Sequence, residues 1–200
     1  MVSMVSMSVA SIKAPSVGLG ATAHADSDAR ISATVREHYA FVWRVLRRFG
    51  LAPADADDAS QQVFVIAADR IDDIELGKER AFLSRTAMRV ASKAHRARRR
   101  RPEDANAECG EGADLGPGAE ELVERHRARA LLDAILDDMP VDLKAVIVLF
   151  EIEGLTMSEI ADALVVPPGT VASRLRRARA ELEAQVLRHR ALGRSGGSIS

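Results

Sequence analysis

The fold is decided by residues 156–186, which read TMSEIADALVVPPGTVASRLRRARAELEAQV. Thr156 stands three residues before Glu159, and this spacing predicts a capping box, in which each side chain accepts a hydrogen bond from the other residue's backbone N–H. The sequence Pro-Pro-Gly at residues 167–169 then predicts a sharp turn. Two helices joined by so short a turn are typical of a helix-turn-helix, whose second helix can lie in the DNA major groove.

The second helix of this motif, predicted from Thr170 to about His189, separates an apolar face from a polar one. Its apolar side chains recur every three or four residues and so share one side of the helix: Val171, Leu175, Ala178, Leu182 and Val186. An ordinary surface helix would account for its arginines, but not for their position beside a capped helix and a turn. The polar side near the N-terminus therefore predicts contacts with base edges and phosphates, and the candidate residues are Thr170, Ser173, Arg174, Arg176 and Arg177.

Three further helices are predicted upstream: one from Ile31 to Gly50, one after Pro53, and one from about Glu79 to Arg101. In the first, the apolar residues Val35, Tyr39, Val42, Trp43 and Leu46 recur at helical spacing, and the second would bury Ala59, Val63, Phe64 and Ala67. The third carries a basic stripe, and no acid interrupts it from Leu83 onward, so ion pairs within the helix cannot neutralise it. The stripe predicts contact with nucleic acid through Arg85, Arg89, Lys93, Arg96 and Arg100.

Residues 102–119 divide the chain, because they contain five acids, no base and several glycines and prolines. Only 4% of the chain is aromatic, so the core must be built from Ala, Leu, Val and Ile, which favours helix packing. We therefore predict an all-α protein with two small helical domains joined by a flexible acidic linker. The expected boundaries are a disordered tail at 1–30, a first domain at 31–101, the linker at 102–119, a second domain at 120–190, and a disordered tail at 191–200.

Several classes of function are disfavoured by composition. The single cysteine, Cys109, allows neither an internal disulfide nor a cysteine zinc site, and no metal or other cofactor is expected. No apolar run approaches the length of a membrane span, and residues 1–25 lack the basic and apolar regions of a signal peptide, so a cytoplasmic protein without membrane insertion is predicted. The histidines are scattered and no nucleophile or phosphate-loop motif is present, so an enzyme is not expected.

The second domain resembles region 4 of the extracytoplasmic-function (ECF) group of the sigma-70 family. The resemblance is carried by residues 139–156, Glu159-Ile160-Ala161, Gly169-Thr170-Val171, Ser173-Arg174-Leu175 and Arg177-Ala178-Arg179. Residues 55–64, which read DADDASQQVF, resemble the core-binding helix of region 2, and Phe82-Leu83 through the arginine-rich end resembles its minus-ten helix. The resemblance covers roughly residues 33–190.

The resemblance implies an alternative sigma factor that binds the RNA polymerase core and directs transcription initiation. Region 2 would dock on the β′ clamp helices and capture single-stranded promoter DNA at the minus-ten element through the basic stripe. Region 4 would read the minus-thirty-five duplex and contact the β flap, and an anti-sigma factor is a further partner that the resemblance allows. The residues at core-binding positions are Asp58, Gln61, Gln62 and Phe64.

The first domain departs from the family pattern, mostly in its minus-ten helix. The family usually has an acid where Gln62 stands, a Trp at Phe82, an Asn near Arg89 and an Asp near Lys93. The last two changes make the helix more basic and remove side chains associated with base capture. We therefore expect stronger backbone attraction and looser sequence reading.

A helix-turn-helix regulator, either a repressor or a response-regulator output domain, is the alternative function. It would explain residues 126–190, but it would leave the Asp/Gln-rich helix and the basic stripe without a role. Such repressors usually bind palindromes as dimers, whereas a sigma factor acts as one copy within the polymerase.

Overall fold

The computed structural model describes residues 19–100 and 119–195, and every regular element in these two stretches is helical, as predicted. A short 3₁₀ turn, Ile71–Asp73, lies between the second and third helices, and a π turn, Val148–Ile152, continues the fifth. The α-helices are α1 (Leu19–Arg48), α2 (Pro53–Ala68), α3 (Glu79–Arg100), α4 (Ala119–Asp138), α5 (Val141–Ile147), α6 (Met157–Leu164) and α7 (Pro168–Ser195).

The ends of the helices differ from the sequence prediction in two places. Helix α1 begins at Leu19, so residues 19–30 are helical rather than part of a tail. Arg30 explains part of this difference, because it donates hydrogen bonds to residues more than 40 positions away, and such long-range contacts leave no mark in local composition. Helix α7 continues to Ser195, past the predicted end of the second domain. The predicted linker, apart from Ala119, lies outside the described residues.

The first three helices pack around aliphatic side chains. Val42, Leu46, Val63 and Leu83, contributed by all three helices, are fully buried. The inner face predicted for α2 is confirmed, since Ala59, Val63, Phe64 and Ala67 are all buried. Tyr39, one of the apolar residues that recur at helical spacing along α1, is 38% exposed. It lies at the edge of the core, where its ring stacks on Phe64.

The second domain is centred on α7, which packs against α4, α5 and α6. Val171, Leu175 and Ala178 of α7 are buried as predicted, whereas Leu182 and Val186 are only half-buried. Gly154 has φ +67° and follows the π turn that ends at Ile152, so the chain reverses there before α6 begins.

The two halves of the molecule pack directly against each other. Helix α3 lies against α6, and the buried apolar residues of both halves form one continuous cluster. The Arg44 guanidinium pairs with the Glu153 carboxylate through Nε and Nη2, at 3.2 and 2.8 Å. This hydrogen bond raises the pKa of Arg44 above its ordinary value.

Within the described residues, no helix is long and apolar enough to cross a membrane.

Candidate nucleic-acid interface

The predicted capping box is present at the start of α6. The Thr156 hydroxyl accepts a hydrogen bond from the Glu159 backbone N–H at 3.3 Å, and a Glu159 carboxylate oxygen accepts one from the Thr156 backbone N–H at 2.7 Å. Burial alone would raise the pKa of Glu159, but the hydrogen bonds from Thr156 lower it below its ordinary value. These local bonds satisfy two N–H groups that a helix start leaves unpaired, and they fix where α6 begins.

The turn of the helix-turn-helix is made by a different residue from those predicted. Val165 ends α6 in the left-handed conformation, with φ 56° and ψ 48°, and the Val166 N–H donates to the Ala161 carbonyl at 3.1 Å. Pro168 and Gly169 already belong to the first turn of α7, where proline's fixed φ suits a helix start. A β-branched residue is unfavourable in the left-handed region, so sequence pattern gave no signal for Val165.

The polar face predicted at the start of α7 is present, but its side chains differ in exposure and in the contacts that they make. Arg176 and Arg177 are exposed, and neither forms an ion pair within the described part of the chain. Arg174 is only 28% exposed and lies 3.5 Å from the Asp142 carboxylate of α5. The Ser173 hydroxyl donates to the Thr170 carbonyl one turn earlier, at 3.0 Å. Two unpaired arginines therefore stand beside a turn that the capped helix holds in place.

The basic stripe of α3 lines a groove of about 880 Å³. Arg89 and Lys93 are exposed along it, and Arg96 donates to the Ser92 carbonyl of its own helix. Arg85 points instead to the second domain, where its guanidinium donates to carbonyls of α6. Arg100 ends the helix, and its side chain lies outside the described set.

Phe82 lies in the same groove and is partly buried. The Arg70 guanidinium stands 5.9 Å from the centre of its ring, within the range of a cation–π contact. Sequence reasoning did not single out Arg70; it follows α2 directly, and a lone arginine beside several acids gave no periodic signal.

The loop before α3 is tied to α1. Arg30 donates to the Ile71 carbonyl at 2.7 Å, to the Ile74 carbonyl, and to the Glu79 carboxylate at 3.0 Å. Burial alone would raise the pKa of Glu79, but hydrogen bonds from backbone N–H groups and from Arg30 lower it. Arg30 thus positions the loop that leads into the basic helix, although it lies in the segment expected to be a tail.

Three of the four predicted core-binding residues share the exposed face of α2, and the fourth faces the core. Asp58, Gln61 and Gln62 are exposed, whereas Phe64 is buried and its ring stacks on Tyr39 at 6.1 Å between ring centres. The Tyr39 hydroxyl donates to Asp57 at 3.3 Å, and burial together with the Asp57 charge raises the pKa of Tyr39. Tyr39 and Val65, which is 61% exposed, are the apolar members of this surface that the sequence analysis did not assign to it. Val65 follows Gln61 by four residues, and that helical spacing could have identified it.

No group of three or more histidine, cysteine or acidic side chains is arranged to hold a metal ion within the described residues.

Both halves match models of a known family. Residues 34–101 match the model described as Sigma-70 region 2, and residues 129–182 match the model described as Sigma-70, region 4. The chain belongs to the sigma-70 family. The helices α1–α3 are its region 2, and the helix-turn-helix lies in its region 4.

Curated relatives place this sigma factor in the ECF group, as predicted. It is 31% identical over 160 residues to the ECF RNA polymerase sigma factor SigE of Mycolicibacterium smegmatis, covering 78% of this chain but only 61% of that relative. It is 35% identical over 144 residues to the ECF RNA polymerase sigma-E factor of Haemophilus influenzae, covering 66% of this chain and 75% of that one. It is also 30% identical over 174 residues to the sigma factor CnrH of Cupriavidus metallidurans, covering 83% and 91%.

Solved structures share the fold of this sigma factor. CnrH, solved with the cytosolic domain of CnrY, superposes with a TM-score of 0.59 at 24% identity, over 83% of this chain and 93% of that one. RpoE of Bartonella quintana, solved with the anti-sigma factor NepR, superposes with a TM-score of 0.58 at 19% identity, over 78% and 95%.

Proposed function

We propose that this ECF sigma factor binds the RNA polymerase core through region 2 and directs initiation by contacting promoter DNA with both domains. One observation carries the proposal: Arg176 and Arg177 are exposed at the start of α7 and form no ion pair with any residue that the structure describes, directly after a capped helix and a turn. Unpaired guanidinium groups at this position can reach base edges and phosphates of the minus-thirty-five duplex. The full proposed set is Thr170, Ser173, Arg174, Arg176 and Arg177.

The minus-ten contact is assigned to the groove of α3. Single-stranded DNA binds where a positive groove follows the backbone and an aromatic face can stack on bases, and Phe82 with its basic neighbours supplies both. Phe82 is the one aromatic residue among the described residues that line the groove, so backbone attraction outweighs stacking and binding depends strongly on salt. The proposed phosphate contacts are Arg85, Arg89, Lys93, Arg96 and Arg100.

The exposed face of α2 is proposed to dock on the β′ clamp helices. Asp58, Gln61 and Gln62 offer polar contacts around the exposed side chain of Val65, and the ring of Tyr39 stacks on Phe64 beside them. A polar rim around an apolar centre is the usual composition of a protein–protein interface.

Run-off transcription with purified core polymerase tests the proposal. Asp58→Ala with Gln61→Ala should weaken core binding and reduce transcription equally on every promoter, because the core-docking face does not touch DNA. Asp69→Ala, an exposed acid at the end of the same helix, is the matched control and should transcribe normally. Loss on some promoters only would contradict the core-docking assignment.

The same experiment separates the alternative, a helix-turn-helix regulator that does not act through the polymerase. That protein would form a stable dimer and would have no affinity for the core.

We further propose that the sigma factor acts without catalysis, in the cytoplasm, together with promoter DNA, the β′ clamp helices and the β flap. An anti-sigma factor is a proposed regulator, supported by the fold shared with a sigma factor that was solved with the anti-sigma factor NepR.

A further inference from the structure

The groove of α3 has a second wall, which comes from the end of α2. Gln62, Ile66 and Arg70 follow one another at intervals of four residues, and all three line this groove. That spacing keeps side chains on one face of a helix, and Arg70 stands two residues beyond the last residue of α2, directly before the 3₁₀ turn. The wall therefore ends in a cation that does not belong to the basic stripe of α3.

Arg70 lies beside the aromatic ring of Phe82. Its guanidinium carbon is 5.9 Å from the centre of the ring. Phe82 precedes Arg85 by three residues and Arg89 by seven, so helical spacing places the ring on the same line as the basic stripe. A ring and a guanidinium from two different elements therefore meet where the stripe begins.

Most of the hydrogen-bonding capacity of Arg70 is unused. Its Nε donates to the Asp73 carboxylate at 3.3 Å, and its side chain has no other hydrogen bond or ion pair among residues 19–100 and 119–195. Both side chains are largely exposed, at 58% and 67%, and an exposed ion pair of this kind is weak. Arg85, by contrast, donates to carbonyls of α6. The Nη1 and Nη2 groups of Arg70 are therefore available to an acceptor that enters the groove.

This combination of groups fits a nucleotide. A base can stack on an aromatic ring whatever its identity, and a guanidinium with two free N–H groups matches two oxygens of a phosphate. An exposed contact between a cation and a ring is weaker than a charge-assisted pair of hydrogen bonds. Arg70 can therefore turn from the ring of Phe82 to a phosphate when a base stacks on that ring.

We infer that Arg70 and Phe82 together hold one nucleotide of the single strand: Phe82 stacks on its base, and Arg70 binds a phosphate beside that base. The inference rests on the proposed minus-ten role of the α3 groove and deepens it. The Arg70–Phe82 site adds a phosphate contact from outside the basic stripe and fixes the place in the groove where a base is stacked. The site holds the base by its face, so the identity of that base matters little.

An abasic scan tests the stacking half of the site. The probe is the non-template strand around the minus-ten element of a promoter that the protein transcribes, and fluorescence anisotropy measures its affinity for the holoenzyme. One abasic position should weaken binding to the wild type about 5- to 150-fold, the range of a lost stacking contact. Phe82→Leu should make binding insensitive to that substitution. If Phe82→Leu kept the sensitivity of the wild type at every position, the inference would be wrong.

A single uncharged linkage tests the phosphate half. Arg70→Ala should weaken binding of the natural strand about 3- to 10-fold, as for a solvent-exposed, charge-assisted contact, and should reduce the salt slope by about 0.7. A methylphosphonate on one side of the stacked position should weaken the wild type by a similar factor. On that strand Arg70→Ala should cause no further loss. Independent losses on both sides of the position would mean that Arg70 does not bind this phosphate.

Asp73→Asn separates a contact with DNA from a structural role of the loop. It removes the same ion pair as Arg70→Ala but keeps the guanidinium, so the strand should bind at least as tightly as to the wild type. A loss equal to that of Arg70→Ala would show that the ion pair acts through the loop, and the inference would be wrong. Arg36→Ala removes the same charge from an exposed position of α1 and should bind like the wild type. An equal loss there would show that net charge alone explains the effect.

The same measurements distinguish failure of the Arg70–Phe82 site from failure of the proposed function. If binding depends on Arg89 and Lys93 but neither on Arg70 nor on Phe82, the site is wrong and the minus-ten role of the groove stands. If the wild-type holoenzyme neither transcribes nor binds the strand, the proposed function fails, and the site fails with it.

Discussion

The two DNA-facing helices of this sigma factor are held in place by different means. Helix α7 is positioned by residues close to it in sequence: the Thr156–Glu159 capping box and the turn at Val165. Helix α3 depends on distant residues, because Arg30 ties the loop before it and α6 accepts hydrogen bonds from Arg85. Local bonds keep the α7 surface ready for DNA, whereas long-range bonds leave the α3 surface dependent on the position of region 4.

Breaking the long-range support of α3 should have the largest effect. Arg30→Ala removes hydrogen bonds to two carbonyls and leaves the half-buried Glu79 without its guanidinium. We expect a loss of about 2–3 kcal/mol in the free energy of unfolding, since hydrogen bonds to charged groups are the stronger ones. Chemical denaturation measures it. Arg36→Ala, an exposed arginine of the same helix, should change little, and an equal loss in both would contradict the positioning role.

Removing an unpaired arginine from α7 should affect DNA binding and leave folding intact. Arg177→Ala should cost about 1–3 kcal/mol in binding to a minus-thirty-five duplex if the guanidinium contacts a base edge. This corresponds to a loss of affinity of about 5- to 150-fold, which fluorescence anisotropy can measure. Arg188→Ala is the control, because Arg188 lies farther along the same helix and pairs with Glu181. Equal losses of affinity in both variants would mean that the bases are read by residues other than Arg177.

The capping box gives a smaller and purely local prediction. Thr156→Ala should destabilise region 4 by about 1 kcal/mol, the usual value of a lost N-cap side chain. Thermal unfolding would show it as a lowered midpoint. Ser158→Ala, in the first turn of the same helix and exposed, should have almost no effect. If both variants were equally stable, the cap would not be what fixes the start of α6.

A substitution in the turn at Val165 should raise the stability of region 4, whereas loss of the cap lowers it. Val165→Asn places a residue that tolerates the left-handed region where a β-branched one now stands, and the side chain is 72% exposed, so little packing is lost. We expect stabilisation of about 0.5–1 kcal/mol. Val141→Asn is matched in exposure but has no positive φ, and it should not stabilise.

Acid should weaken the Thr156–Glu159 capping box at the start of α6. The pKa of Glu159 is lower in the folded protein than its ordinary value of 4.5, so its contribution is complete above that value. The contribution is lost as the pH falls through the lowered pKa, because the protonated carboxyl binds the Thr156 N–H less well. Urea unfolding from about pH 6 to about pH 3 should show a smaller loss for Glu159→Gln than for the wild type. Equal pH dependence of stability in the wild type and in Glu159→Gln would mean that the loss does not come from Glu159.

Sequence alone determined the helix-turn-helix, the basic stripe and the order of the two domains. Each of these depends on residues three or four positions apart, where helical geometry converts spacing directly into a shared face or a cap. The sequence prediction failed where a residue's neighbours come from far along the chain. Arg30 was assigned to a tail although it braces the loop before α3.

Only the tertiary structure decided which of the predicted DNA contacts are free. Arg85 and Arg177 have the same chemistry and the same helical setting in sequence. Arg177 is exposed and forms no ion pair among residues 19–100 and 119–195, whereas Arg85 is bound by the end of α6, 77 positions away. Spacing along a helix determines the face on which a side chain stands. The packing of the other domain determines whether that face is open to a partner.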